Sequence, residues 1–309
     1  MRTAWLPLVS LGVGILATIN CSSNTENPST TSLSSSSSTA AGGAGGEGGT
    51  GGNTSSSSGE GGILLTTGSG AGGMTGEECL KTLTMRVRDF SESHPDFQWS
   101  GHPNFSQITG IRTTIVANDL TQQPDGTFKP VYIAPNDVNP NGPTYAPFTG
   151  AANFDTWYRD TPNTNHAINV ELPLTANGNT LVYDDENFHP IDPTFGFGNE
   201  GFELNGTPQN WHFTTEAIAS FRYKGGEVFT FRGDDDIWVF INHKLAIDLG
   251  GLHGPEQATI NLDQNAASLG LTLEKIYDLQ VFHAERNYSG SNYRFETSNF
   301  CLLPVPPPK

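Results

Sequence analysis

Short runs in which apolar and polar residues alternate recur along the chain beyond residue 80. In the clearest run, 83–88, every second residue is apolar, which is typical of a β-strand with one buried face. The same kind of evidence predicts nine further strands, at 111–116, 167–172, 181–183, 217–223, 227–232, 237–241, 259–262, 275–283 and 293–297. Signals for helices are weak by comparison.

Clusters of glycine, asparagine and serine separate several of these runs and indicate tight turns. They lie at 177–179, 224–226, 249–251 and 289–291. Because about ten short strands joined by turns favour an antiparallel sandwich or barrel, we predict an all-β fold. Residues 119–165 are rich in proline and asparagine and are predicted to form long surface loops.

The first 21 residues have the pattern of an export signal. Arg2 is followed by an apolar stretch, 6–19, that is shorter than a bilayer span and ends close to Cys21. A signal that ends at a cysteine predicts a lipoprotein, with Cys21 as the lipidated residue. Asn20 stands where a small residue is usual, so an ordinary secretion signal is the alternative.

Residues 22–76 are predicted to be a disordered tether. Of these 55 residues, 39 are Gly, Ser or Thr, and none is Lys, Arg or aromatic. Such a segment buries too little apolar surface to offset the entropy of ordering it, and its mean reach is about 40 Å. The folded domain is therefore predicted at 79–303, followed by a proline-rich tail at 304–309.

The composition narrows the class of function. Only 15% of the 309 residues are charged, and 32 acids against 15 bases give a formal net charge of −17. A nucleic-acid-binding protein needs a basic face against phosphate, so the charge balance argues against one. No run of about 20 apolar residues follows the N-terminus, so contact with a membrane is expected only through an N-terminal lipid.

The three cysteines have separate predicted roles. With Cys21 assigned to the lipid, Cys79 and Cys301 remain at opposite ends of the folded domain. Exported proteins form and keep disulfides, so we predict one bridge that ties the first strand to the last. Two free thiols are the alternative.

Three consecutive carboxylates, Asp234, Asp235 and Asp236, precede the fully apolar run 237–241. Charges about 4 Å apart repel by about 1 kcal/mol in water and about 4 kcal/mol at an effective dielectric constant of 20. Such a cluster stays hydrated as a solvated turn, takes up a proton or binds a cation, and an oxygen-only ligand set favours calcium. Because side chains alternate along a strand, Asp234 and Asp235 reach one ion only if their peptide bond turns, as a cis bond would.

Several motifs together resemble the fibro-slime domain, a branch of the PA14 family. The densest is 233–242, with the sequence Gly-Asp-Asp-Asp-Ile-Trp-Val-Phe-Ile-Asn. The others are 245–251 with His253, 282–286, 291–292, 88–90, 94–97, 154–160, 188–192 and 210–215. The likeness runs from about 83 to 300 and implies a PA14-like antiparallel β-sandwich with long loops, displayed outside the cell.

The resemblance also implies a binding site. In the lectin branch of the PA14 family, a cis-linked Asp-Asp pair holds Ca²⁺, which chelates sugar hydroxyls, and this pair falls on Asp234 and Asp235. The second ligand loop falls near 285–292. The metal ligands expected from the resemblance are Asp234, Asp235, the extra acid Asp236, and Asn287 as the best oxygen donor of that loop. The expected carbohydrate contacts are Trp238, Glu285, Asn287 and Asn292.

These features predict a non-enzymatic adhesion or recognition module that binds an extracellular glycan through Ca²⁺. It would be a lipoprotein of the outer membrane or cell surface, or a secreted protein. A structural protein of an extracellular slime matrix, without sugar binding, is the main alternative. A glycoside hydrolase is the least favoured alternative. Such an enzyme needs two carboxylates across a cleft, and nothing in the sequence pairs two carboxylates in this way.

Overall fold

The structure is a computed structural model that describes residues 78–97, 110–133, 148–288 and 290–305. The predicted signal peptide with Cys21, the predicted tether and the last four residues of the tail lie outside the described residues. The strands are β1 (Thr82–Phe90), β2 (Thr121–Gln122), β3 (Phe128–Lys129), β4 (Asn165–Pro173), β5 (Thr175–Asn177), β6 (Thr180–Asp185), β7 (Glu203–Leu204), β8 (Thr207–Pro208), β9 (Phe213–Arg222), β10 (Val228–Gly233), β11 (Asp236–Ile241), β12 (Lys244–Leu249), β13 (Glu256–Asn261), β14 (Ile276–Glu285), β15 (Tyr293–Ser298) and β16 (Leu302–Leu303). The helices are α1 (Ala151–Phe154) and α2 (Leu262–Leu269).

Two antiparallel sheets make up the fold. The larger has the order β12-β11-β14-β9-β1-β4, with β16 also paired to β9, and the smaller has the order β13-β10-β15-β6-β5. Two short ribbons, β2-β3 and β7-β8, lie outside these sheets. The all-β antiparallel sandwich predicted from the sequence is confirmed.

The main hydrophobic core lies between the two sheets. From β1 it takes Leu83, Met85 and Val87, all almost completely buried, because alternate residues of a strand share one face. The smaller sheet contributes large aromatic rings such as Phe231 and Phe295. The alternation that predicted β1 therefore also identified which of its residues enter the core.

A second hydrophobic cluster covers the other face of the larger sheet. Trp238 and Phe240 of β11 pack there against Phe97, Ile115 and Trp157 from segments outside the two sheets. Both faces of β11 are thus covered, and all six of its residues are buried. This explains why 237–241 is a continuous apolar run rather than an alternating one.

One predicted strand, 111–116, is wrong. In this segment only Val116 forms an isolated β-bridge, to Tyr132. Ile115 and Val116 are buried in the cluster that covers the larger sheet. Their apolar side chains serve this packing, and the segment belongs to neither sheet.

The sequence prediction also missed helix α2. The Asn261 side chain accepts a hydrogen bond from the Gln264 backbone at the start of the helix, which is a usual N-cap. Gly270 ends the helix in the left-handed conformation, with φ of 69°. Among the described residues, no helix has the length and apolar character that would let it cross a membrane.

The disulfide and the acidic run lie at opposite ends of the strands. Cys79 is bonded to Cys301 just before β1, which confirms the predicted bridge, and we call this end the disulfide pole. β1 runs from it for about 30 Å, and β9, β14 and β11 follow in antiparallel order. The end of β14 at Glu285 and the start of β11 at Asp236 therefore lie at the opposite end, which we call the acidic pole.

Candidate functional site

A cluster of buried carboxylates lies at the acidic pole. Asp234 and Asp235 connect β10 to β11, and Glu285 is the last residue of β14. The register of β11 and β14 places Asp236 opposite Ala284, so strand pairing brings Glu285 close to the aspartates. Asp234 and Asp235 are 4% and 3% exposed, and Glu285 is fully buried.

The backbone of the aspartate pair is held in place by β14. The peptide bond between Asp234 and Asp235 is cis, as the resemblance implies. The His283 ring donates from Nε2 to the Asp234 carbonyl at 2.6 Å, and the Asp235 N–H donates to the Ala284 carbonyl at 3.2 Å. Burial lowers the pKa of His283 to about 4, so its ring is neutral at physiological pH.

The loop that follows β14, of which 286–288 and 290–292 are described, contacts Asp234 through Asn292. Asn292 donates its backbone N–H to Oδ1 at 2.5 Å and its side-chain amide to Oδ2 at 3.0 Å. Gly233 makes this approach possible, because a Cβ at this position would lie 2.7 Å from the Asn292 carbonyl oxygen. The strand-to-strand distance here therefore requires glycine.

The first residues of the same loop donate hydrogen bonds to the other two carboxylates, those of Asp235 and Glu285. The Arg286 backbone N–H donates to Asp235 Oδ2 at 3.1 Å. The Asn287 backbone N–H donates to Glu285 Oε1 at 3.2 Å. Glu285 Oε2 is buried and has no hydrogen-bond partner among the described residues. This oxygen is the unpaired acceptor of the cluster.

Burial dominates the electrostatics of the cluster. It raises the pKa of Asp234 to about 6, although both hydrogen bonds from Asn292 lower it. Burial also raises the pKa of Asp235 well above its usual value, while the charge of Arg286 opposes the rise. The pKa of Glu285 is raised well above its usual value by burial and then by the charges of Asp235 and Asp234. Full ionisation of all three is unfavourable, so either protons or a cation must balance them.

Asp236 does not join this group. Its Oδ2 accepts from Arg286 Nε at 2.7 Å, and its Oδ1 accepts from the Gly251 N–H at 2.5 Å. Both side chains of the ion pair are buried, and the Arg286 guanidinium lies 4.6 Å from the centre of the Phe148 ring. This corrects the prediction of Asp236 as a metal ligand, because its carboxylate is already neutralised on the covered face of the larger sheet.

Trp238 is also placed differently from the prediction. It is fully buried, its indole N–H donates to Asp248 Oδ1 at 3.0 Å, and its ring lies 5.7 Å from that of Phe154. The prediction of a sugar contact at Trp238 is corrected, because distant segments cover this face of β11 and leave the ring inaccessible.

The remaining predicted residues lie at the acidic pole. Asn287 and Asn292 are half-buried in the 286–292 loop, next to Glu285. The functional interpretation of the sequence overlooked Arg286, which compensates one of the three aspartates. The signal was available, because Arg286 closes the 282–286 motif and stands beside Glu285 in the sequence.

The donor set at this pole suits a hard cation. Among the described residues, no three His, Cys, Asp or Glu side chains are arranged as a ready-made metal site, so carboxylates alone do not complete one. The amide oxygens of the 286–292 loop are the additional oxygen ligands available at this pole. Ca²⁺ prefers carboxylate and amide oxygens as ligands. Glu285 Oε2 has no hydrogen-bond partner among the described residues, and the charges of Asp235 and Asp234 add to the burial that raises the Glu285 pKa. The residues present fit calcium in their chemistry.

The residues of the acidic pole lie in a part of the chain that matches a known protein family. Residues 156–299 match the model of the PA14 domain. The chain is 35% identical over 240 residues to Protein psiB of Dictyostelium discoideum, covering 72% of this chain and 40% of psiB. It is also 35% identical over 235 residues to Protein psiR of the same organism, covering 72% of this chain and 22% of psiR. The chain thus spans less than half the length of these relatives.

One solved structure that matches this chain in part is the A domain of Epithelial Adhesin 6 from Candida glabrata in complex with Galb1-3GlcNAc. The two are 11% identical, with 74% of this chain and 89% of that chain covered and a TM-score of 0.30. The two antiparallel sheets of the chain itself establish its fold. Residues 156–299, which contain Asp234, Asp235 and Glu285, thus match the PA14 domain family, and this confirms the PA14 part of the resemblance.

Proposed function

We propose that residues 79–303 form a carbohydrate-binding module that recognises an extracellular glycan through Ca²⁺ at the acidic pole. One observation carries this proposal: three buried carboxylates, Asp234, Asp235 and Glu285, lie at one end of the sandwich, and each accepts a hydrogen bond from a backbone N–H of the loop that follows β14. The PA14 match over the same residues supports the proposal.

Asp234 and Asp235 would hold the ion, with Asn287 as a further oxygen ligand. When bound, Ca²⁺ would supply coordination sites for neighbouring sugar hydroxyls. The protein orients its own donors beforehand, since Asn292 holds the Asp234 carboxylate and the Arg286 N–H holds that of Asp235. Glu285 would add a third carboxyl group beside the pair, close enough for the charges of Asp235 and Asp234 to raise its pKa.

An extracellular location agrees with the disulfide at Cys79 and Cys301. Within the described residues, the first strand begins at the disulfide pole, at the opposite end of the strands from the acidic pole. Lipidation of Cys21 is part of the proposal. Together these features support display of the module for adhesion or recognition.

A structural matrix protein is the second candidate function. It is favoured by the low exposure of Asp234 and Asp235, at 4% and 3%, because a buried ion would rigidify loops without meeting a ligand. A glycoside hydrolase is less well supported. Hydrolysis requires two carboxylates on opposite sides of the scissile bond, whereas these acids are neighbours in one buried cluster.

Calorimetric titration of the chelator-stripped protein with CaCl₂, followed by a glycan array with Ca²⁺ or with EDTA, tests the proposal. We expect Ca²⁺ uptake, and glycan binding that EDTA abolishes. Uptake of Ca²⁺ with no glycan selectivity would favour the matrix function. Release of reducing sugar from a polysaccharide would favour the hydrolase.

A further inference from the structure

An open cavity of about 310 Å³ lies at the disulfide pole, and the bonded pair Cys79 and Cys301 forms part of its wall. Arg222 and Lys224 also line it, and none of the described residues that line it is Asp or Glu. Two other cavities of the domain differ in this respect, because each is lined by both acids and bases. The chain as a whole has a formal net charge of −17, so this cavity is a cationic site on an acidic protein.

Strand alternation explains why the two cations lie together. Phe221 and Tyr223 are both buried in the main core. The pairing with β14 continues past the end of β9, since the Tyr223 N–H donates to the Lys275 carbonyl at 2.9 Å. Side chains alternate along such a segment, so Arg222 and Lys224 share the side that faces away from the core, where both line the cavity.

Hydrogen bonds join the segments that frame the cavity. The Asn299 N–H donates to the Asn179 carbonyl at 2.7 Å. The Asn299 side-chain amide donates to the Gly226 carbonyl at 2.8 Å. The disulfide at Cys301 fixes the same segment two residues further along the chain. Because the frame is formed without a ligand, less conformational entropy is lost when a ligand binds.

The acids of the neighbouring turn hold the backbone and do not line the cavity. Glu227 is buried, and its carboxylate accepts from the Lys224 backbone N–H at 2.6 Å. Asp263 accepts from the Gly226 N–H at 2.9 Å and from the Tyr223 hydroxyl at 2.8 Å. A ligand that enters the cavity therefore meets the two cations as its ionisable neighbours.

We infer that this cavity binds the carboxylate or sulfate group of an acidic sugar, as a second binding site at the pole remote from the acidic cluster. A guanidinium such as that of Arg222 recognises these oxyanions through paired N–H donors, and Lys224 adds a compact positive charge. Amide side chains at the rim suit sugar hydroxyls, and the buried Phe300 provides an apolar wall. The volume is at the lower end of the range for small-molecule sites, which fits a single sugar unit.

This second site does not depend on Ca²⁺ at the acidic pole. The two poles are separated by the length of the strands, about 30 Å. A domain with a site at each end would contact two polysaccharide chains at once, which suits adhesion and matrix cross-linking equally. The inference therefore stands or falls separately from the proposed function.

The experiment titrates acidic sugars into the full chain in the presence of EDTA, so that a divalent ion at the acidic pole does not contribute. The ligands are methyl glucuronide and a sulfated methyl glucoside, with neutral methyl glucoside as the matched control. The variants are Arg222→Gln and Lys224→Gln. Lys81→Gln is the control variant, because Lys81 is an exposed lysine of the same pole that does not line the cavity. Calorimetry at low and at high salt measures each affinity.

We expect the acidic sugars to bind, the neutral one not to bind, and high salt to weaken binding. Each cavity variant should lose at least about tenfold in affinity, and Lys81→Gln should bind as the parent does. Arg222→Gln also removes a hydrogen bond to the Glu274 carbonyl, so its folding is checked by urea denaturation. Lys224→Gln changes an exposed side chain and decides the matter if Arg222→Gln fails to fold.

Three results would overturn the inference and leave the proposed function untouched. The first is equal binding of the neutral and acidic sugars, or affinities that Lys224→Gln leaves unchanged. The second is binding of inorganic sulfate as tight as that of the sulfated sugar, which would show a simple anion site. The third is binding to phosphatidylglycerol vesicles that Lys224→Gln abolishes, without binding of either acidic sugar, which would assign the cavity to a lipid headgroup.

Discussion

Asp236 and Arg286 form a buried ion pair, with Nε 2.7 Å from Oδ2. The same arginine donates its backbone N–H to Asp235, so one residue contacts two consecutive aspartates through different groups. Asp236 forms the ion pair, whereas among the described residues the Asp235 carboxylate accepts from the Arg286 backbone N–H and the Asp234 carboxylate from the two amide groups of Asn292. Neighbouring acids of one run therefore have separate roles.

Because these acids have separate roles, Asp235→Asn and Asp236→Asn should have different effects. Asp235→Asn removes a carboxylate proposed to hold Ca²⁺, and we expect Ca²⁺ affinity to fall by at least about 100-fold, beyond the typical loss for an outer-shell partner. Asp119→Asn, at a 67% exposed side chain, is the matched control and should bind as the parent does. Calorimetry measures both, and an unchanged affinity in Asp235→Asn would remove Asp235 from the site.

Asp236→Asn should instead act on stability. The substitution leaves the buried Arg286 guanidinium without its counter-charge, and breaking a buried pair typically costs about 3–5 kcal/mol. We expect a loss of this size in the free energy of unfolding, measured by urea denaturation, with Ca²⁺ affinity retained in the folded fraction. A large loss of Ca²⁺ affinity with normal stability would return Asp236 to the set of ligands.

Trp238→Phe tests the corrected role of Trp238. The variant keeps an aromatic ring in the buried cluster but loses the indole N–H that donates to Asp248. Asp248 Oδ2 keeps its hydrogen bond from the Thr114 N–H, but loss of the donor to Oδ1 should lower the free energy of unfolding by about 1–3 kcal/mol. Glycan-array binding should persist, and its selective loss in a stable variant would show that the ring does contact a sugar.

Asp89 allows a test of pH dependence at a carboxyl group that is not one of the three in the acidic cluster. It is fully buried, its Oδ2 accepts from the Phe197 N–H at 2.6 Å, and burial raises its pKa to about 7 from 3.8. A raised pKa means that the folded state binds the proton more tightly than the unfolded state. Its contribution to stability is therefore complete below about pH 4 and is lost as the pH rises through about 7.

Asp89→Asn removes this dependence. Relative to the parent, the variant should gain stability between pH 4 and pH 8, by on the order of 4 kcal/mol or less. Urea unfolding at several pH values measures the difference, with Asp119→Asn as the control whose difference from the parent should vary little. A pH-independent difference for Asp89→Asn would contradict the raised pKa.

The disulfide should contribute strongly to the stability of the domain. Cys79 and Cys301 are 222 residues apart in sequence, and in the chain-entropy model closing so long a loop stabilises by roughly 4–5 kcal/mol. We expect Cys79→Ser/Cys301→Ser to lower the free energy of unfolding by an amount of this order. Addition of a reductant should then affect the thermal midpoint of the parent and not that of the double variant.

Strands could be predicted from the sequence where the pattern of apolar and polar residues was compatible with only one structure. The run 83–88 alternates because β1 has one face in the main core, and its prediction required no other part of the chain. The run 111–116 is also rich in apolar side chains, yet Ile115 and Val116 pack on the outer face of the larger sheet. Periodicity reports burial of a face and does not report whether a backbone finds a partner strand.

The sequence by itself determined the local chemistry of this protein: the strand periodicity, the run of three acids and the two cysteines that meet. The tertiary structure alone decided which acid faces which partner, since Asp236 meets Arg286 only through the register of β11 and β14. It also decided that Trp238 is buried and Tyr288 exposed. The physical reason is that burial and charge compensation depend on segments far apart in the chain, which only folding brings together.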